Sequence, residues 1–234
     1  MPLVVKNLII INALFFLARY TLASTLNIDL NSILGLYYYN SPEFNPYQLI
    51  SYMFMHGGFS HIFFNMFALW MFGTQIENLW GPKRFLNYYL ITGFGAAFLH
   101  YLIIHFQISD LESYFTSNQI SEIVNSGAFN PSSPLFSKAR MLYGLHHTPV
   151  VGASGAVFGL LLAYGMTYPN QIIYLNLLFP IKAKYFVIIY GLLEFVMGVQ
   201  NSAGDNVAHF AHIGGMLFGF LLIKYWKKND MNFY

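Results

Sequence analysis

The chain has no cysteine and little charge: only 9% of its 234 residues are Asp, Glu, Lys or Arg. Without cysteine there is no disulfide, no thiolate nucleophile and no thiolate metal site. With so few charges and 56% hydrophobic residues, the chain lacks the polar groups to cover a globular surface of this size. That excludes a water-soluble domain and makes it a membrane protein. A net charge of +2 is too small to point to a nucleic-acid partner. Segments of alternating polarity are also missing, which argues against a membrane barrel and leaves helices to cross the bilayer. No H-E-x-x-H stretch occurs, so a membrane zinc protease is disfavoured.

What is present is a set of long apolar runs. A helix needs about 20 apolar residues to cross the hydrocarbon core, and six stretches qualify, at roughly 7–26, 51–74, 85–106, 150–168, 184–200 and 208–226. Residues 171–181 are also apolar, but Asn176, Pro180, Lys182 and Lys184 interrupt the region, which reads as a hairpin leading into the short fifth span. The first span reads as a retained helix rather than a cleaved signal, because Lys6 alone makes a poor basic leader. Six spans put both termini on one side. Cytoplasmic termini place Lys6, Lys83, Arg84, Lys182, Lys184, Lys224, Lys227 and Lys228 inside and only Lys138 and Arg140 outside. Arg19, inside the first span, is expected to snorkel to the headgroups. Residues 107–148 form a polar outer loop with one or two short amphipathic helices. No repeat divides the chain, so residues 1–234 are read as one all-α membrane domain. A bacterial inner (plasma) membrane is the expected setting, with an organelle membrane as the alternative.

Depth along the spans brings polar residues together. Pro149 suits a first helical turn, which puts Ser154 one to two turns below the outer boundary. Span six, starting near Val207, puts His212 at a similar depth. In the second span Gly57 and Gly58 delay the helix, Ser60 is a plausible N-cap, and His61 and Asn65 follow one turn apart on one face. Singly, each has an ordinary structural reading: a membrane serine bonds a backbone carbonyl, and a membrane histidine sits in a packed, satisfied position. Together, at one depth on three helices, such costly groups point to a site. Gly155 and Gly159 in span four, and Gly215 and Gly219 in span six, form small-xxx-small pairs that let backbones approach closely, and Gly215 shares a face with His212.

A serine needs a base before it attacks a carbonyl, and histidine has the right proton affinity. The tetrahedral intermediate needs donors, which the Ser154 N–H, the Asn65 amide and the His61 ring supply. This constellation describes acyl transfer, most simply amide hydrolysis, and requires no metal and no cofactor. Gly152 offers a loose backbone where substrate and donors must approach.

Three motifs carry a resemblance to a known family. "HIFFN" at 61–65, "GASG" at 152–155 and "AHIGG" at 211–215 resemble, in order and over nearly the whole chain, the motifs of the rhomboid intramembrane serine proteases. The resemblance implies a six-transmembrane-helix rhomboid-like bundle with Ser154 as nucleophile, His212 as general base and then acid, and His61 and Asn65 in the oxyanion hole. It also implies that Phe158 supports the histidine ring by stacking, where many members have tyrosine. Glu77 resembles a position that ties a helix end to an adjoining loop, although an ordinary interfacial acid is nearly as good a reading. Residues 27–50 would form a long outer loop partly embedded in the membrane. The implied substrates are single-pass transmembrane proteins within the lipid bilayer, cut near the outer end of their span after a small residue. The resemblance implies a dyad, so Asp205, in the loop 201–207 expected to close a wet cavity, is not taken as a third member. His209 either helps admit water or faces the outer interface, and Glu194 either pairs within the bundle or borders the substrate path.

Two other readings stand beside this one. A histidine-lined metal or proton transporter needs ligands across the bilayer, whereas His56, His61, His146, His147, His209 and His212 fall at the outer side and His100 and His105 on the outer half of span three. An inactive relative that binds membrane substrates without cutting is the other; the presence of both Ser154 and His212 speaks against it.

Overall fold

The computed structural model describes residues 1–175, 179–200 and 208–229. The first span is α1 (Leu3–Leu26), followed by two short helices, α2 (Leu30–Leu34) and α3 (Gln48–Ser51), and a tight 3-10 turn over Tyr52–Phe54. The second span is continuous but not uniform: α4 (Phe59–Ala68) passes through a π-helical turn, Leu69–Gly73, into α5 (Thr74–Trp80). The turn to the next span has a simple cause. Gly81 takes φ 78, which stops α5, and Pro82 occupies the first turn of α6 (Pro82–Glu112), where its missing N–H costs nothing.

α6 runs 31 residues, so the polar stretch expected to begin at 107 starts inside a helix. After it come α7 (Ser117–Ser126), opened by a Thr116/Gln119 capping box and closed by Gly127 at φ 61, and α8 (Phe136–His147). They cover the end of α6 through Ile104, Ile108, Leu111, Ile123, Ala139 and Leu142, with Tyr38 from the first loop. His147 clasps the two loops: its Nδ1 lies 2.9 Å from Glu43 Oε1 and its Nε2 2.7 Å from the Val124 carbonyl. Burial pushes the Glu43 carboxyl up, but hydrogen bonds from Ser41 and His147 outweigh it and hold the group below the ordinary carboxylate range.

The remaining elements are α9 (Ser154–Thr167), a short antiparallel hairpin of β1 (Ile172–Leu175) and β2 (Phe179–Lys182), then α10 (Ala183–Gln200) and α11 (His209–Asn229). Among the described residues the hairpin is the only pair of strands, beside one isolated antiparallel bridge between Leu36 and Val150, and it falls where the interrupted apolar stretch predicts a reversal.

The fold class is that of an all-α membrane protein, a six-span bundle. α1, α6 and α10 are individually long and apolar enough to cross a membrane. The second span reaches its length only through the π turn. α9 has 14 residues, or about 21 Å of rise against a core of about 30 Å.

The deficit in α9 is made up at its N-terminal end by residues 149–153, which are not helical. Pro149 therefore does not open the helix, contrary to the sequence-based expectation. Irregular backbone at membrane depth must be covered by protein and hydrogen-bonded; residues 149–151 are half-buried and 152–153 buried. Leu36 and Val150 exchange both backbone hydrogen bonds at 2.9 Å, Gly152 N–H donates to the Tyr52 carbonyl at 2.9 Å, and Ala153 is 0% exposed. α9 is the central helix, with α6 and α11 packed on it and α10 at the edge, burying only Ala183, Phe186 and Val187.

Candidate active site

Ser154 is the first residue of α9 and His212 lies in the first turn of α11. Nε2 of His212 is 2.8 Å from Ser154 Oγ. One turn along α9, Phe158 stacks on the imidazole with centroids 4.2 Å apart and planes inclined by 6°, so the ring is held by its face as well as its edge. The helices come this close because nothing separates their main chains: a β-carbon on Gly215 would collide with the Gly155 carbonyl, and one on Gly155 with the side chain of Ala96. The second glycine of each expected pair does something else. Gly159 faces Thr92 and Gly219 faces Tyr88, whose hydroxyl donates to the Gly159 carbonyl at 2.8 Å. α6 is thus wedged against both helices that carry the serine and the histidine.

The second-span residues approach from the other side. The helix begins at Phe59 with Gly58 extended at φ −169 as its N-cap and without a side-chain capping bond. Ser60 is therefore not the cap that the sequence predicts, because the chain is already helical there. Gly57 N–H donates to His61 Nδ1 at 3.3 Å; with that nitrogen accepting, the neutral ring carries its proton on Nε2. Gly152 fits between His61 and Ser154. Its φ of 134 suits glycine alone, and an added β-carbon would stand 2.8 Å from His61 Nε2 and 3.4 Å from Ser154 Oγ. Asn65 is buried one turn further along α4. The Ser154 N–H belongs to the first turn of a helix, where no carbonyl four residues back accepts it. Arg19 does not simply snorkel: its guanidinium donates to the carbonyls of His56 and Gly57, both at 3.1 Å. It pins the loop from which His61 is oriented.

Glu194 and His209 were visible in the sequence only as isolated polar residues of apolar spans. Here Glu194 Oε2 lies 2.8 Å from His212 Nδ1 and 2.6 Å from His209 Nδ1, with all three side chains largely buried. Glu194 thus pairs within the bundle, and His209 turns inward rather than to the outer interface. These three residues are also the group among those described whose ligand atoms cluster closely enough, all within 4.8 Å, to hold a metal ion. As they stand, the carboxylate and the two Nδ1 atoms satisfy one another. Asp205 and the loop 201–207 lie outside the described residues. Glu77 sits at the far end of the second span, where it accepts the N–H groups of Val4 and Val5 at 2.9 and 2.8 Å. It is 3% exposed, so it is a buried helix cap and not an ordinary interfacial acid.

A hydroxyl on an imidazole, a glycine-lined approach and a ring N–H beside it are the parts needed to attack a carbonyl and stabilise the oxyanion. A family model described as "Rhomboid domain" matches residues 43–228. RHOMBOID-like protein 12, mitochondrial, of Arabidopsis thaliana is 30% identical over 174 residues, covering 72% of this chain and 43% of that protein. A mitochondrial rhomboid protein of Schizosaccharomyces pombe is 24% identical over 217 residues, 82% of this chain and 55% of its own length. Rhomboid protease GluP of Bacillus subtilis is 28% identical over 176 residues, 74% of this chain and 25% of its own. The chain spans well under two thirds of the length of these relatives, and since they include mitochondrial as well as bacterial proteins, kinship does not single out a bacterial inner membrane. With the family model covering most of its length and the three motifs converging in space, the chain belongs to the rhomboid family.

Proposed function

We propose that the protein is an intramembrane serine endopeptidase, hydrolysing a peptide bond near the outer end of the transmembrane segment of a single-pass membrane protein. The observation that carries this reading is the 2.8 Å contact between Ser154 Oγ and His212 Nε2. Family membership supports it, as does the printed name of one relative, Rhomboid protease GluP. In this reading the proton of Oγ passes to Nε2 as the oxygen bonds to the substrate carbonyl carbon. The carbonyl π electrons become the oxyanion, which meets the Ser154 N–H, the His61 Nε2–H and the Asn65 amide. His212 then gives the proton to the leaving amine as the C–N bond breaks; water passes a proton to the same ring as it adds to the acyl carbon, and that proton returns to Oγ as the C–O bond to Ser154 breaks and the acid is released. No step calls for a metal or cofactor.

The excess of Lys and Arg at one end of the spans puts both termini in the cytoplasm and the site toward the opposite face, with 27–50 and 107–148 outside and residues 1–234 acting as a single domain. Substrates must offer extended backbone to the serine, so spans weakened by small or helix-breaking residues are cut best. Cleavage of a model single-pass substrate by purified protein in lipid vesicles tests this: wild type cuts, and Ser154→Ala and His212→Ala do not. Wild-type protein that binds the substrate without cutting it points to an inactive relative. Cutting by either variant at the wild-type rate removes the assignment.

A further inference from the structure

We infer that Glu194 is a positioning residue for His212, its carboxylate holding the ring in the tautomer whose bare Nε2 faces Ser154, so that hydroxyl, imidazole and carboxylate stand in line. The inference rests on the serine-protease reading above and deepens it from a pair of residues to three.

A neutral imidazole carries one proton, and an ionised carboxylate only accepts. With Glu194 Oε2 2.8 Å from His212 Nδ1, the proton between them belongs to Nδ1. The alternative tautomer would set two acceptors face to face at that distance. Nε2 is then left without a proton 2.8 Å from Ser154 Oγ, which is the form that can take the hydroxyl hydrogen. As the proton transfers, the ring becomes an imidazolium with a carboxylate already beside its other nitrogen. Glu194 stabilises that charge and itself takes up no proton.

The carboxylate is itself held. His209, one turn before His212 on α11, places Nδ1 2.6 Å from the same Oε2, so two donors from one helix fix the rotamer of an acid contributed by another. An acid inside a span is costly, and here that cost is offset by two imidazoles in a site only 12% exposed at the glutamate side chain. Phe158 covers one face of the His212 ring, Ser154 meets one edge and Glu194 the opposite edge. Together these contacts define the ring's position, its rotation and which nitrogen bears the proton.

The test is steady-state kinetics of Glu194→Gln, Glu194→Asp and Ser154→Ala on a model substrate in vesicles, with nitrogen-15 NMR of histidine-labelled wild type, His212 being assigned by its loss in His212→Ala. Glu194→Gln, whose amide can donate to Nδ1 and favour the wrong tautomer, is expected to lower kcat about 10²- to 10⁴-fold with KM changed less than about threefold. Glu194→Asp is expected to restore at least about tenfold of that loss. The NMR spectrum of the wild type should show a neutral His212 protonated at Nδ1. A Gln variant with kcat within about threefold of wild type, or a ring protonated at Nε2, overturns the inference. If the Gln variant does not fold, the wild-type spectrum alone decides. Undiminished cleavage by Ser154→Ala sinks the protease reading instead, and leaves the tautomer measurement to judge Glu194 separately.

Discussion

Glu77 and Val5 stand 72 positions apart in sequence, yet the glutamate carboxylate accepts the valine N–H at 2.8 Å, and that of Val4 beside it at 2.9 Å. The end of the second span thereby caps the start of the first, satisfying two of the N–H groups that a helix leaves without partners. Removing the carboxylate strands both donors, the one on Val5 buried and the one on Val4 partly buried. Glu77→Ala is expected to cost about 2–3 kcal/mol and to lower the thermal midpoint in detergent. At temperatures where the variant is folded its kcat should match wild type, because the cap lies at the far end of the bundle from Ser154.

Gly152→Ala is expected to act on the chemistry as well as on stability. Its φ of 134 would strain any β-carbon by about 1–3 kcal/mol, and that carbon would press on His61 Nε2. Kinetics of the purified variant should show a loss in kcat far larger than any change in KM, together with a lower thermal midpoint.

Gly215→Ala is expected to be worse for stability than an ordinary overpacked core. The obstacle is the Gly155 main chain, which cannot rotate aside. A destabilisation of about 3 kcal/mol or more should appear as poor yield of folded protein. Labelling of Ser154 by a serine-reactive probe should fall in the fraction that does fold, because α9 and α11 are pushed apart.

Treatment with a chelator should leave cleavage unchanged, since no step in the proposed reaction uses a metal. Excess zinc should inhibit, by drawing Glu194, His209 and His212 onto one ion and breaking the hydrogen bonds they share. Inhibition should be reversed by the chelator and weakened in His209→Ala, as titration of substrate cleavage against zinc would read.

The clasp between the outer loops gives a pH dependence. Glu43 titrates below the ordinary carboxylate range in the folded protein, so it contributes stability above its unfolded value and loses that contribution as pH falls through the folded one. Thermal midpoints of wild type and Glu43→Gln should differ at neutral pH and draw together as pH falls from the ordinary carboxylate value through the lower folded one.

The spans and the convergence of Ser154, His212 and His61 were legible in sequence because hydroxyls and imidazoles are conspicuous in apolar runs and because helical periodicity converts spacing into depth. What could not be read was anything set by a partner distant in sequence. Pro149 looks like a helix start, but residues 149–153 stay irregular because Leu36 and Tyr52 claim their hydrogen bonds. Ser60 looks like a cap, but the extended Gly58 already starts the helix. Glu194 announces itself as an acid in a span. Its two histidine partners lie on the next helix, and no local pattern names them. Arg19 is the same case, since snorkelling and bonding two carbonyls of another segment demand the same residue at the same depth.

The main-chain contact of Gly155 with Gly215 lies one residue after the serine and three after the histidine. The spacing between hydroxyl and imidazole is therefore set by two backbones in contact and not by compressible side chains. α10 buries only Ala183, Phe186 and Val187, and its tie to the site is the Glu194 carboxylate on the two histidines of α11. The jaw that holds hydroxyl to imidazole is therefore made of main chain, and the grip on the far edge of the ring is made of one acid.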